Sequence, residues 1–296
     1  MKKIFYAFML LLFCACAKSN AHTPMLWEIS GKNMHRTSYI FGTFHTKDRK
    51  INQLNSSVYA TLKHTQRVYT EIKLNKKNAK KIFSMSRLKK PVPLKNRLHY
   101  KTRKKLLLFL KQHTSRLTFN ALAQYKTWAI AMMMNNENEK KVHKNRLFMD
   151  EMLRAYAKKK HIKTGGLESP KEQLVYFDRL SNTQQEQLLL SVINKLDNKA
   201  YENALTQWYN KGNPNGFLTI QKRFSSHTLK QKKLDKVLTQ GLLIERNTRF
   251  ARRIDILLQN VKKYRYFFAI GAGHLSGKKG VLQKLRVLGY TLKKID

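Results

Sequence analysis

Cysteine is nearly absent from this chain of 296 residues: there are two, Cys14 and Cys16, both inside an apolar N-terminal segment. Beyond them there is no thiol to form a disulfide, act as a nucleophile or bind zinc or an Fe–S cluster. Proline is also scarce, at 5, and no Pro/Gly/Ser-rich or low-complexity tract divides the sequence. Residues 22–296 are therefore expected to form one domain. Acidic residues are few as well: 17 Asp and Glu stand against 60 Lys and Arg, a formal net charge of +43. Such a chain is drawn to anionic lipid, polysaccharide or nucleic acid. With no RNP pattern and no Cys/His finger, a nucleic-acid partner is not expected. The cations are spread along the chain and are densest in "KKPVPLKNRLHYKTRKK", Lys89 to Lys105, a stretch that could dock on an anionic envelope surface. A hydrophobic share of 42% is enough for a core and argues against disorder.

Long hydrophobic runs are missing too. "IFYAFMLLLF" follows Lys2 and Lys3 and precedes the small residues of "CACAKSNA". A spanning helix needs about 20 apolar residues, so residues 1–21 read as an export signal. Cleavage after Ala17 or after Ala21 fits the pattern. Lipidation of Cys16 is a third route, although Phe13 and Cys14 stand where a lipoprotein signal prefers Leu and a small residue. The expected destination is the periplasm, the envelope or the medium of a bacterium.

What is present is a strand-helix order with chemistry at the strand ends. "MLWEIS" and "TSYIFGTF" read as a hairpin across the turn "GKNMHR". "INQLNSSVYATLKHTQ" reads as a helix and "RVYTEIKL" as a strand. A long, mostly helical middle follows, broken by a short strand in "IKTGGLES". One helix is expected to open on a capping box from Thr183 to Glu186 and to run on toward Gly212. "GLLIERNTRFARRIDILLQN" reads as a long helix. The chain closes as strand "YRYFFAIG", loop "AGHLSGKKG", helix and strand, the form of a βαβ unit. The fold class expected is mixed α/β, a mixed sheet with flanking helices and a large helical middle section.

Two strand ends carry the same pattern. "YIFGTFHT" ends at Gly42 with His45 three residues on, and "FFAIGAGHLSG" repeats this with Gly271 and His274. Strand "RVYTEIKL" carries Glu71, and Glu168 closes "KTGGLE". Only ten glutamates occur in the chain, so two in strand-like runs stand out; if buried, they must be paired or bind a metal. Two imidazoles with one or two carboxylates suit Zn, Co, Mn or Fe, and an open position on such an ion turns water into a nucleophile near neutral pH. Gly42 and Gly271 could adopt positive φ or let the backbone approach a ligand closely. Each residue also has an ordinary structural role: a hydrogen-bonded strand-end histidine, or a glutamate sharing the solvent face of its strand with Tyr69. The loop "GAGHLSG" is a further alternative as a phosphate cradle, but it lacks the full G-x-G-x-x-G pattern.

In their order, these segments resemble the TraB/GumN family, which includes the Tiki metalloproteases. The likeness runs through "LWEISGKNMHRTSYIFGTFH", "RVYTEIKL", "FMDEMLRAYAKKKHIKTGGLESPKEQL", "LIERNTRFARRI" and "FFAIGAGHLSGKKGVLQKLRVLGY". It implies a fold of the erythromycin-esterase/ChaN-like kind with the two Gly-x-x-His ends converging on one pocket. It also implies that Glu71, Glu168, Arg246 and Asn247 lie near that pocket, with Arg246 holding a substrate carboxylate or an oxyanion. The Tiki branch implies peptide hydrolysis by a divalent metal, Mn, Co or Zn, held by His45, Glu71 and His274, with Glu168 as general base or orienting group and a peptide or protein as substrate. The ChaN relatives imply haem binding in the same cleft instead. A basic protein docking on anionic surfaces is the remaining alternative.

Overall fold

The computed structural model describes residues 23–46, 51, 53–73, 75–113, 117–142, 146–260 and 264–295. The expected leader and Cys16 lie outside the described residues. The first part is β1 (Leu26–Gly31), β2 (Ser38–Thr43), α1 (Ser56–Lys63) and β3 (Arg67–Ile72). A helical stretch follows: α2 (Lys76–Met85), α3 (Tyr100–His113), α4 (Thr127–Val142) and α5 (Met149–Lys159). After β4 (Lys163–Glu168) come α6 (Pro170–Asp178), α7 (Asn182–Leu196), α8 (Lys199–Asn210), α9 (Phe217–Arg223), α10 (Leu229–Leu238) and α11 (Arg246–Asn260). The chain closes with β5 (Tyr266–Gly271), α12 (Val281–Val287) and β6 (Tyr290–Ile295). No helix among the described residues is long and apolar enough to cross a membrane.

All six strands join one sheet in the order β4-β3-β5-β2-β1-β6. β4, β3, β5 and β2 run parallel, and β1 is antiparallel to both its neighbours. The expected βαβ closure therefore takes a wider form. β5, α12 and β6 follow one another, but β2 and β1 lie between the two strands. β1 seeks two partners because its apolar residues Leu26, Trp27 and Ile29 are buried. Gly289 makes the turn from α12 into β6 with φ of 92°, a conformation that glycine adopts without steric cost.

The central strands show why the sheet is covered on both faces. β2 is buried at every position, as is β5 up to Ile270, the pattern of parallel strands packed between layers. β3 alternates: Val68, Thr70 and Ile72 are buried, with Tyr69 and Glu71 half-buried on the other face. That second face is not solvent. Tyr69 packs on Tyr266 and Phe268, with ring centroids 5.9 and 6.1 Å away. Its ring also covers Gly165 of β4, where a Cβ atom would collide with it. Among the described residues the apolar interior comprises two clusters. One surrounds the sheet, with α5, α11 and α12 packed on it. The other lies among α3, α4, α6, α7 and α10, centred on residues such as Trp128, Phe109 and Leu189.

Helix boundaries follow local capping chemistry. Ser169 and Glu172 form a capping box at the start of α6, with Pro170 in its first turn. The box of α7 is Ser181 with Gln184, two residues earlier than Thr183 and Glu186. Glu186 instead accepts the backbone N–H of His99 at 2.8 Å. The helix also stops at Leu196 rather than running on, because the Asn198 side chain caps a new helix, α8. The long helix expected over residues 241–260 starts later, at Arg246. A π-helical turn, Thr239–Glu245, joins it to α10. In the basic stretch Lys89–Lys105, Arg97 turns inward and donates to the carbonyls of Tyr125 and Leu122, so that cation serves the helical core rather than a docking face.

Candidate functional site

The parallel strands place their C-terminal ends on one edge of the sheet, where open α/β sheets collect ligands. Thr43 at the end of β2 pairs with Gly271 at the end of β5, and Ile72 of β3 pairs with Glu168 of β4. Both Gly-x-x-His segments therefore leave the sheet from adjacent strands at the same level. Neither glycine has a positive φ: Gly271 sits at −52° and Gly42 is ordinary strand. Their role is close packing. A Cβ on Gly42 would lie 2.8 Å from the Leu275 side chain and 3.2 Å from the Ala272 Cα. The Gly271 N–H donates to Glu71 Oε1 at 2.7 Å.

Arg246, the first residue of α11, is the hub. Its Nε and Nη2 donate to Glu168 Oε1 at 2.9 and 2.5 Å, and Nη2 also donates to Glu71 Oε2 at 2.6 Å. Nη1 donates to the Leu242 carbonyl at 3.1 Å and meets His274 Nε2 at 3.1 Å. The five guanidinium N–H groups are all engaged. Burial alone would favour loss of the Arg246 proton, but Glu71 and Glu168 outweigh it and hold the group charged. The Glu168 side chain is fully buried and is neutralised on its other oxygen by Arg249 Nη2 at 2.8 Å. In this arrangement Glu168 orients the arginines and has no free oxygen to act as a base. Arg246 likewise has no N–H left for a substrate carboxylate or an oxyanion unless a partner releases it.

The tautomer of His274 follows from its neighbours. Asn247 Nδ2 donates to the Lys279 carbonyl at 2.9 Å, which turns its Oδ1 toward His274 Nδ1 at 2.6 Å. Nδ1 must then carry the proton, leaving Nε2 to accept from Arg246. Burial first, and the positive charge of Arg246 besides, push the imidazole pKa down to about 4 against the pull of Glu71; it is neutral at pH 7. Burial would raise the Glu71 pKa, but Arg246, His274 and the Gly271 N–H together hold it down to about 2.

A second carboxyl lies beside Glu71. Asp150, in the first turn of α5, is pushed up to about 7 by burial and then by the charges of Glu71 and Glu151, against a hydrogen bond with Thr43. Its charge in turn helps raise the Tyr209 hydroxyl, already raised by burial. That hydroxyl donates to the Gly42 carbonyl at 2.7 Å. Two carboxyls whose environments drive their pKa values apart are the usual signature of divided acid and base roles. Asp150 lies in "FMDEMLRAYAKKKH", a segment that carries part of the family resemblance, yet nothing in that spacing ties it to the strand ends. His45 lies on the same side: it is exposed, and its ring stacks on Phe148, just before α5, at 3.9 Å and 10°.

The expected ligand set of His45, Glu71 and His274 is not assembled. Among the described residues no three His, Cys, Asp or Glu side chains lie together so as to hold a metal ion. The physical reason is Arg246: its guanidinium sits against Glu71 and the Nε2 lone pair of His274, so these donor atoms already face a cation. The residues present, as arranged, do not fit a bound divalent ion.

A family model described as the TraB/PrgY/gumN family matches residues 25–294. Among individual proteins, the chain is 43% identical over 65 residues to a protein named Metalloprotease TIKI2 from Danio rerio, covering 22% of this chain and 12% of that one. It is 38% identical over 60 residues to Metalloprotease TIKI1 from Homo sapiens, covering 20% and 12%. It is 30% identical over 77 residues to a Metalloprotease TIKI homolog from Nematostella vectensis, covering 26% and 16%. The chain thus spans less than a fifth of the length of these relatives. No solved structure matches.

Proposed function

Because the chain belongs to the TraB/PrgY/gumN family, we propose that it is a hydrolase of peptide bonds working at the strand ends around Glu71, Asp150 and His274. The observation that carries this is the gathering of Glu71, Arg246, His274 and the Gly271 N–H at the strand ends; burial and the charge of Glu71 lift Asp150 toward the range of a general base. A general base is most effective when its pKa is near the working pH. Asp150 takes the proton of an attacking water and returns it to the leaving amine. Glu71 keeps Asp150 basic by its charge and is fixed by Arg246 and the Gly271 N–H. His274, Asn247 and Glu168 position Arg246. His45, exposed at the rim, meets the substrate. The proposed steps run through this chain's own carboxyls and through no metal ion. The same proposal places the protein outside the cytoplasm, on the strength of the leader-like residues 1–21.

The test is cleavage of a peptide library by the wild-type protein, Asp150→Asn and His274→Ala, each with and without added Mn or Co. The expected kcat/KM rises with pH through a midpoint near 7, and Asp150→Asn loses about 10²-fold or more. Absence of cleavage under every condition, or an Asp150→Asn variant with wild-type rate and pH profile, refutes the proposal. Cleavage that appears only with added metal and is lost in His274→Ala would restore the metal set in place of the Asp150 mechanism.

A further inference from the structure

An apolar groove of about 740 Å³ opens between α7, α9, α10 and the π-helical turn. Leu188, Val192, Phe217, Leu218 and Leu243 contribute to its walls. Leu218, in that wall, is 43% exposed. The groove shares a wall with the charged site in three places. Leu242 lines it, and the Leu242 carbonyl holds Arg246 Nη1. Lys279 lines it, and the Lys279 carbonyl holds Asn247, which fixes His274. Phe217 lines it, and the Phe217 ring packs so closely on Gly273 that a Cβ there would lie 2.8 Å from it.

The groove is apolar inside and cationic around it. Lys222, Lys232, Lys236 and Lys279 contribute to its lining against one acid, Asp235, which already accepts a hydrogen bond from Gln231 at 2.8 Å. These lysines are exposed, so an acidic occupant gains charge complementarity that a purely apolar one lacks, and a second copy of this chain, itself at +43, would be repelled. An acidic polypeptide with apolar side chains satisfies both. We propose that this groove seats the apolar side chains of an extended, acidic peptide segment and leads the adjoining bond toward the strand-end site around Glu71, Asp150 and His274. The assignment rests on the peptide-hydrolase proposal and names its substrate class.

The test uses the full-length protein and three fluorescein-labelled octapeptides: a Leu-Phe core flanked by Glu, the same core flanked by Lys, and a Ser-Ser core flanked by Glu. Binding is read by anisotropy at 0.15 M salt, with peptide integrity followed by mass spectrometry. The Glu-flanked Leu-Phe peptide is expected to bind best. Leu218→Asp, or Lys232→Glu with Lys236→Glu, should weaken it about tenfold or more. Both are changes at groove positions away from the charged cluster, and circular dichroism and melting curves check that the variants are folded. Equal binding of the Ser-Ser peptide, or unchanged affinity in both folded variants, reports general adhesion to a basic surface and overturns the groove. Groove binding without cleavage sinks the hydrolase proposal and leaves a peptide-binding groove. Cleavage indifferent to both groove variants sinks the groove alone.

Discussion

Replacing Asp150 with Asn should stabilise the protein, and by an amount that grows with pH. The carboxyl is raised from 3.8 to about 7 in the fold, by burial and by the charges of Glu71 and Glu151. At 1.36 kcal/mol per tenfold change in proton affinity, that difference is worth roughly 4 kcal/mol. The sign is set by proton binding. Between pH 4 and 7 the folded state keeps a proton that the unfolded chain has lost, so stability falls as pH rises. The contribution is complete below the unfolded value near 3.8 and is lost as pH passes about 7. Asparagine keeps the shape and can still accept from Thr43, but it does not titrate. The variant should therefore match the wild type near pH 4 and exceed it by about 4 kcal/mol at pH 8. His274, lowered from 6.5 to about 4, destabilises the fold as pH falls through that window, but it does so in both proteins and cancels in the difference. Urea denaturation at pH 4.5, 6 and 8 measures the gap. A gap that stays constant across that range refutes the like-charge pairing of Asp150 and Glu71, and with it the assignment of Asp150 as the base.

Arg246→Gln should destabilise the fold by about 3–5 kcal/mol, because it strips both hydrogen bonds from one oxygen of a fully buried Glu168; a loss below about 1 kcal/mol by denaturant unfolding would show that Arg249 alone suffices. Gly280→Ala should lower the melting temperature and the activity together, since a Cβ there would lie 2.5 Å from the carbonyl oxygens of Leu275 and Ser276, next to His274; a calorimetric scan and the peptide assay read the two effects. Mass spectrometry of exported material should find the N-terminus between Cys16 and His22, and an intact Met1 would remove the leader.

How far the site could be read from the chain varied by residue. The two Gly-x-x-His ends were visible as apolar strands stopped by glycine, and the parallel pairing of β2 with β5 sets them at one level. Glu71 was visible as a charge in a strand, but a period of two only says that it shares a face with Tyr69. Whether that face meets water depends on α11, which lies far along the chain and brings Arg246 against it. Asp150 was hidden because an acid near a helix start is ordinary. Its raised pKa comes first from burial and then from the charge of Glu71 on β3, distant in sequence, with Glu151 adding to it. The helix break at Asn198 and the capping box at Ser181 rest on local hydrogen bonds, and an equally good Ser/Thr-x-x-Glu pattern two residues away competed with the latter.

Local chemistry along the chain was enough to determine the mixed α/β class, the lack of any thiol after Cys16, the cationic surface and the strand ends that carry histidine and glutamate, because periodicity, composition and turn residues act over a few positions. Tertiary structure alone decided that a guanidinium, not an imidazole pair, stands between Glu71 and Glu168, and that Asp150 is buried within the field of Glu71. Those outcomes depend on which distant groups are packed together out of water, where a single neighbouring charge shifts proton affinity by orders of magnitude.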